Sequence, residues 1–80
     1  MKKRRIQYEV LPNGDGLWKI TRDRVVVGYF ERKAEAVSEA AARGRACWAN
    51  GQLAQLFIKG RDGKIKDERT YGRDPRHIPG

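Results

Sequence analysis

The sequence predicts an α+β domain of element order βββαββ: a small, antiparallel-rich mixed sheet with one long helix packed on one face. Three observations predict it. Short alternating apolar runs, broken by Pro, Asn and Gly, fill residues 6–30. The apolar period then lengthens to three and four residues across 31–51. Two more short runs follow, divided by Asp62-Gly63. A chain of 80 residues makes one domain with a thin core.

The elements follow in order. Residues 1–5, MKKRR, read as a basic arm, and the domain is expected over residues 6–72. In IQYEVL, Ile6, Tyr8 and Val10 alternate with Gln7 and Glu9, a half-buried strand. PNGDG supplies turn formers. LWKITR puts Trp18 and Ile20 on one face and Lys19 and Thr21 on the other, so the first two strands form a hairpin. After RDR turns the chain, VVVGYF is β-branched and aromatic on both faces, a third strand that is either central or partnered.

Across ERKAEAVSEAAARGRACWANG, the residues Val37, Ala40, Ala41, Gly44, Cys47 and Trp48 form one helical stripe. Asn50-Gly51 is a good stop, whereas Glu31 and Arg32 are weak N-caps. Gly44 costs about 1 kcal/mol against Ala in a helix. Its small size on the buried stripe lets helix and sheet approach closely. QLAQLFIK is a fourth strand, GRDG a hairpin turn, and KIKDERTY a charged fifth strand at an edge. Residues 73–80 read as a tail, with Tyr71 as the anchor before it. A crossover through the helix lays the fourth strand parallel beside the first. The expected sheet order is therefore 3-2-1-4-5.

These residues carry a resemblance. YEVLPNGDGLW, ERKAEAVSEA and IKGRDGKIKDERTYGRDPR, in that order and spacing, closely resemble the prokaryotic and phage domain-of-unknown-function family numbered twenty-one eighty-eight. Its members look like YHVxPxxxGGW, then a Thr-Lys-x-Glu-Ala helix start, then HGRDGxIxxxxSYGxDP. The match runs from about residue 8 to residue 76. Lys59 stands where His is common, Thr70 where Ser is, and Arg32-Lys33 where Thr-Lys would cap the helix. The resemblance implies a sheet-plus-helix domain and implies no activity. The stretch from Gly16 to Gly44 also resembles the three strands and helix of Apetala-type and integrase arm-binding DNA domains, which read the major groove with their sheet.

Catalytic chemistry is not expected. His77 is the only histidine and stands in the tail, without a positioned partner. Cys47 lies on the apolar helix stripe and reads as a small buried hydrophobe. One His and one Cys cannot build a zinc site. NGDG and GRDG lack the Lys-Ser/Thr ending of a phosphate-binding loop. The expectation is a non-enzyme with no cofactor and no metal. The lone cysteine makes no internal disulfide. No stretch reaches the ~20 apolar residues of a membrane span, and no signal-length apolar run follows the basic start. A soluble, cytoplasmic protein is expected.

Charge is the informative feature. Lys and Arg number 18 against 10 Asp and Glu, a formal net charge of +8. The excess is uneven. Lys2, Lys3, Arg4 and Arg5 stand together without an acid, and Lys59, Arg61, Lys64, Lys66 and Arg69 crowd the last hairpin. These nine are the candidate phosphate contacts for nucleic acid, which would be bound with strong salt dependence and little specificity. If the arm and the hairpin adjoin, they form one continuous patch. The face of the first strands, with Gln7, Glu9, Lys19, Thr21 and Arg24, is only mildly basic, and Glu9 opposes phosphate. Exposed aromatics for base stacking are not expected, with Tyr8, Trp18 and Phe30 assigned to the core. The alternative is a protein-interaction module that acts through a sheet face or edge. VVVGYF and LAQLFI are apolar on both faces while one helix covers one face, so a homodimer is an expected form of it.

Overall fold

In the computed structural model, which describes residues 5–72, alternation sets the sheet. Ile6, Tyr8 and Val10 of β1 (Arg5–Pro12) are buried and Gln7 between them is exposed. β2 (Trp18–Arg22) buries Trp18 and Ile20, and β4 (Leu53–Lys59) buries Ala54, Leu56 and Ile58. β3 (Val25–Phe30) and β5 (Ile65–Tyr71) are mostly exposed. The helix, α1, spans Lys33–Ala49. Lys2, Lys3 and Arg4 of the arm, and the tail of 73–80 with His77, lie outside the described residues. β1 already includes Arg5, which pairs with Leu53, so the first strand starts one residue before the expected boundary.

The sheet order is β3-β2-β1-β4-β5. β1 and β4 run parallel, with Tyr8 opposite Leu56, and every other neighbouring pair is antiparallel. The expected mixed sheet and its order are observed. Residues opposite one another share a face, so the registers sort the side chains. Val10, Ile20 and Gly28 lie on the helix face, as do Trp18 with Phe30 and Ala54 with Tyr71. Leu11, Lys19 and Tyr29 form a row on the open face, and Glu9, Phe57 and Glu68 continue the next. Ile20, Leu56 and Val10 are the largest fully buried side chains. Burial of each contributes about 2 kcal/mol of transfer free energy.

The helix lies mainly over β4 and β1. Its buried stripe is Ala36, Ala40, Ala41, Gly44 and Cys47. Small side chains let it sit close. Tyr71 fills the space left by Gly44: a Cβ there would stand 2.5 Å from the Tyr71 ring. Trp48 departs from expectation and is 57% exposed. Four residues after Gly44, it keeps the phase of the stripe, but it stands in the last turn of the helix, beside Gly72 just past the end of β5, and much of the indole is left in solvent.

The helix starts at Arg32, extended and without a side-chain cap, as its sequence implies. It ends in a Schellman arrangement. Gly51 takes φ +81°, its N–H donates to Trp48 O at 2.9 Å, and Gln52 N–H donates to Cys47 O at 2.8 Å.

Two turns differ from the glycine signals. Asp23 and Arg24 both take positive φ, 49° and 74°, in a two-residue link of the kind usually given to Asn-Gly. Asp23 accepts from Gln7 N–H through Oδ1 at 3.1 Å, which ties this turn to β1. The GRDG turn is longer than a two-residue link: Gly60 N–H donates to Lys64 O, and Gly63 N–H donates to Gly60 O.

Candidate functional site

The two ends of the sheet carry different charge. β1 finishes, β2 begins and β3 finishes at one end, where Pro12, Trp18 and Phe30 stand abreast. The helix starts just after Phe30, and the β4–β5 turn follows Lys59, so both belong to this end. Arg5, Arg22 and Tyr71 mark the opposite end. Arg5 and the hairpin turn are therefore separated by the length of the eight-residue β1, roughly 23 Å for about seven residue steps. The expected joining of arm and hairpin is not made by Arg5. It starts a central strand that β4 separates from β5. Lys2, Lys3 and Arg4 lie outside the described residues.

At the turn end, two cations meet one indole. Lys33 Nζ lies 5.3 Å from the centroid of the Trp18 ring and Arg61 Cζ 5.7 Å. Both separations are within cation–π range. Trp18 is only 4% exposed, so its ring seats cations and does not offer a face for stacking. Local chemistry places each partner. Lys33 opens the helix, Trp18 opens β2, and Arg61 is the residue after Gly60 in the turn. Lys64 is exposed in the same turn. Neither Lys33, Arg61 nor Lys64 has a carboxylate partner among the described residues.

The other hairpin candidates are engaged. Lys59 Nζ is 3.7 Å from Glu9 Oε1 on the open face. Lys66 Nζ is 3.2 Å from Asp62 Oδ2, and Arg69 Nε is 3.5 Å from Asp67 Oδ2. Such surface pairs are worth about 0–1 kcal/mol and open readily. The Lys64 backbone N–H, donating to Asp62 Oδ1 at 3.1 Å, holds the Asp62 carboxyl below its ordinary pKa, and Lys66 adds to this.

The open face also differs from expectation. Thr21 is buried and Arg24 stands in a turn, so the polar face is smaller than the alternation implies. Tyr29, opposite Lys19, is 58% exposed, so the face does carry an exposed aromatic. Lys33 was not among the sequence candidates. The signal that finds it is topological: helix start, β2 start and β4–β5 turn share one end. Cys47 is buried as expected, and its Sγ is 3.6 Å from Tyr8 Oη. Burial raises the Tyr8 pKa, and the thiol contact raises it further. Among the described residues, no group of three or more His, Cys, Asp or Glu side chains could hold a metal ion. No helix there is long and apolar enough to cross a membrane.

Comparison with known proteins agrees with the motif reading. The model of the family described as "Uncharacterized protein conserved in bacteria (DUF2188)" matches residues 8–71, and the chain belongs to that family. No curated protein and no solved structure matches it.

Proposed function

We propose that this family member works in the cytoplasm as a non-enzymatic nucleic-acid-binding protein that contacts the phosphate backbone. One observation carries the reading: Lys33 and Arg61, from distant parts of the chain, converge on Trp18 without a carboxylate partner among the described residues. Cations seated on a buried ring lose less freedom on binding than cations on loose stems. Arg61 offers a planar fork suited to phosphate oxygens, and lysines act as point charges beside it. Lys64 extends this set. Lys59, Lys66 and Arg69 join it when their weak surface pairs open, Arg5 adds positive charge from the other end, and Lys2, Lys3 and Arg4 belong to the proposed phosphate contacts by their charge.

The test is an anisotropy titration on double-stranded DNA, single-stranded DNA and RNA oligonucleotides between about 50 and 200 mM salt. Affinity is expected to fall with salt, with little preference for sequence. The triple variant Lys33→Gln, Arg61→Gln, Lys64→Gln is expected to flatten the log–log salt slope by about two to three. Absence of binding at the lowest salt overturns the reading, and so does a slope that the triple variant leaves unchanged.

A second reading, a protein-interaction module acting through a sheet edge, is favoured by the exposed apolar side chains of β3. A pull-down from host lysate after nuclease treatment separates the two: recovery of one protein partner favours this reading over the first.

A further inference from the structure

We propose that β3 pairs antiparallel with β3 of a second copy of this chain, joining two sheets edge to edge about a twofold axis. The inference goes beyond phosphate binding and does not depend on it. Among the described residues β3 is an edge with β2 as its only neighbour. An edge strand presents unpaired backbone donors and acceptors, and proteins usually blunt it with charge. VVVGYF contains none. Phe30 packs against the core, but the other four side chains remain in water, with Val25 66%, Val26 38%, Val27 36% and Tyr29 58% exposed.

The occupant follows from matching the strand against itself. Residues opposite one another across a twofold axis must share a sheet face. An unbroken strand meets this only between positions of equal parity. β3 is not unbroken: the pairing with β2 shifts between Ile20 and Thr21, so Gly28 faces Ile20 and Val26 faces Thr21. The extra residue puts Val26 and Tyr29 on the open face, and Val25 and Phe30 on the helix face. A bulge often turns an edge away from partners, but here it restores the face match. Val25 then lies opposite Phe30 of the second copy, and Val26 opposite its Tyr29.

Sliding by one position sets Val26 against Gly28 or Phe30, on the wrong face. Sliding by two in the face-matched direction leaves Arg24 against Tyr29. In the full-overlap register, Arg24 comes level with Glu31 of the other copy, and the symmetry repeats the contact. Arg24 and Glu31 are both exposed, and neither has an ion-pair partner among the described residues. Charges placed at the two ends of an uncharged strand, with opposite sign, are what an antiparallel self-pairing requires.

The experiment is sedimentation equilibrium on the nuclease-treated full chain at about 150 mM salt, with four variants. The parent is expected at twice its 9.2 kDa mass. Val26→Lys, at an exposed position, is expected to give a monomer with an unchanged circular-dichroism spectrum. Arg24→Glu and Glu31→Arg are each expected to weaken dimerisation about tenfold. The double variant Arg24→Glu, Glu31→Arg is expected to recover the parent affinity, because the swapped charges meet again. A parent that stays monomeric overturns the proposal. So does a dimer that Val26→Lys leaves intact, or a double variant no tighter than the singles.

Discussion

The two edges of the sheet are built on opposite principles. β5 carries two bases and two acids in succession, Lys66 to Arg69, pairs Arg69 with Asp67, and ties Glu68 back to Gln55 by a 3.2 Å hydrogen bond. It finishes in Tyr71, whose ring fills the notch at Gly44 of the helix. β3 carries no charge in its six residues and leaves valines in water. One edge is closed by polarity and an anchor, while the other is open and apolar. An edge that needs only solubility is made like β5; an edge made like β3 is suited to being covered.

The largest expected effect comes from breaking the β5 anchor. Gly44→Leu drives a side chain into the Tyr71 ring, and overpacking of this kind costs about 3 kcal/mol. A calorimetric melting temperature at least ten degrees lower, at roughly 4 °C or more per kcal/mol, is the expected reading. In a Tyr71→Ala background the notch is empty. Gly44→Ala should then stabilise by up to about 1 kcal/mol through helix propensity. A cost for Gly44→Ala in that background would show that the ring is not what the glycine accommodates.

The second test makes β5 resemble β3. Replacing Lys66, Asp67 and Glu68 with Val, Ile and Val should give a chain that scatters light at concentrations where the parent is clear. A variant that stays monodisperse would remove the protective role assigned to the charges.

The third test compares the edges with the centre. Burial raises the Tyr8 pKa above its ordinary value of 10.0, so the fold favours the neutral phenol. That contribution is complete below pH 10.0 and is lost as pH rises through the folded-state value. Melting temperature should therefore fall above about pH 10, and fall less steeply in Tyr8→Phe. Equal slopes would contradict the assignment.

The smallest effect is expected at the β5 turn. The Asp62 pKa is lowered, so its contribution is present above the ordinary carboxylate range and lost as pH falls through its folded value. Asp62→Asn should lower the melting temperature slightly at neutral pH. Parent and variant should converge in acid; a gap that persists there would assign the effect to something other than the carboxylate.

Much of this contrast is legible in the residues. Alternation in IQYEVL and LWKITR, the lengthened period after Glu31 and the crossover rule together give the strand order. Gly44 stands out as a small residue on an apolar stripe, but its occupant does not, because Tyr71 reaches it only through β4–β5 pairing. Trp48 misleads because it keeps the helical phase of the stripe yet stands in the last turn, beside Gly72 just past the end of β5, where less of the domain covers it. Asp23-Arg24 makes a left-handed turn without glycine, so the usual signal is missing. The candidate site was harder to read. Listing cations along the chain joins the arm to the hairpin, whereas strand direction puts Arg5 at the far end. Lys33, Trp18 and Arg61 meet because three elements begin or turn at one end of the sheet.

The central pairing has a consequence for how the chain is made. β1 is synthesised first, yet its parallel partner β4 comes later, with Tyr8 waiting for Leu56 forty-eight positions on. Until then β1 has only β2 beside it, and the helix lacks most of its seat. A nascent chain that has reached Asn50 would show two unsatisfied borders, β3 and β1, instead of one. Closure of that long loop is the slow, entropy-opposed event expected to set the folding rate. During translation the growing chain therefore passes through an interval in which it is most prone to join the wrong neighbour.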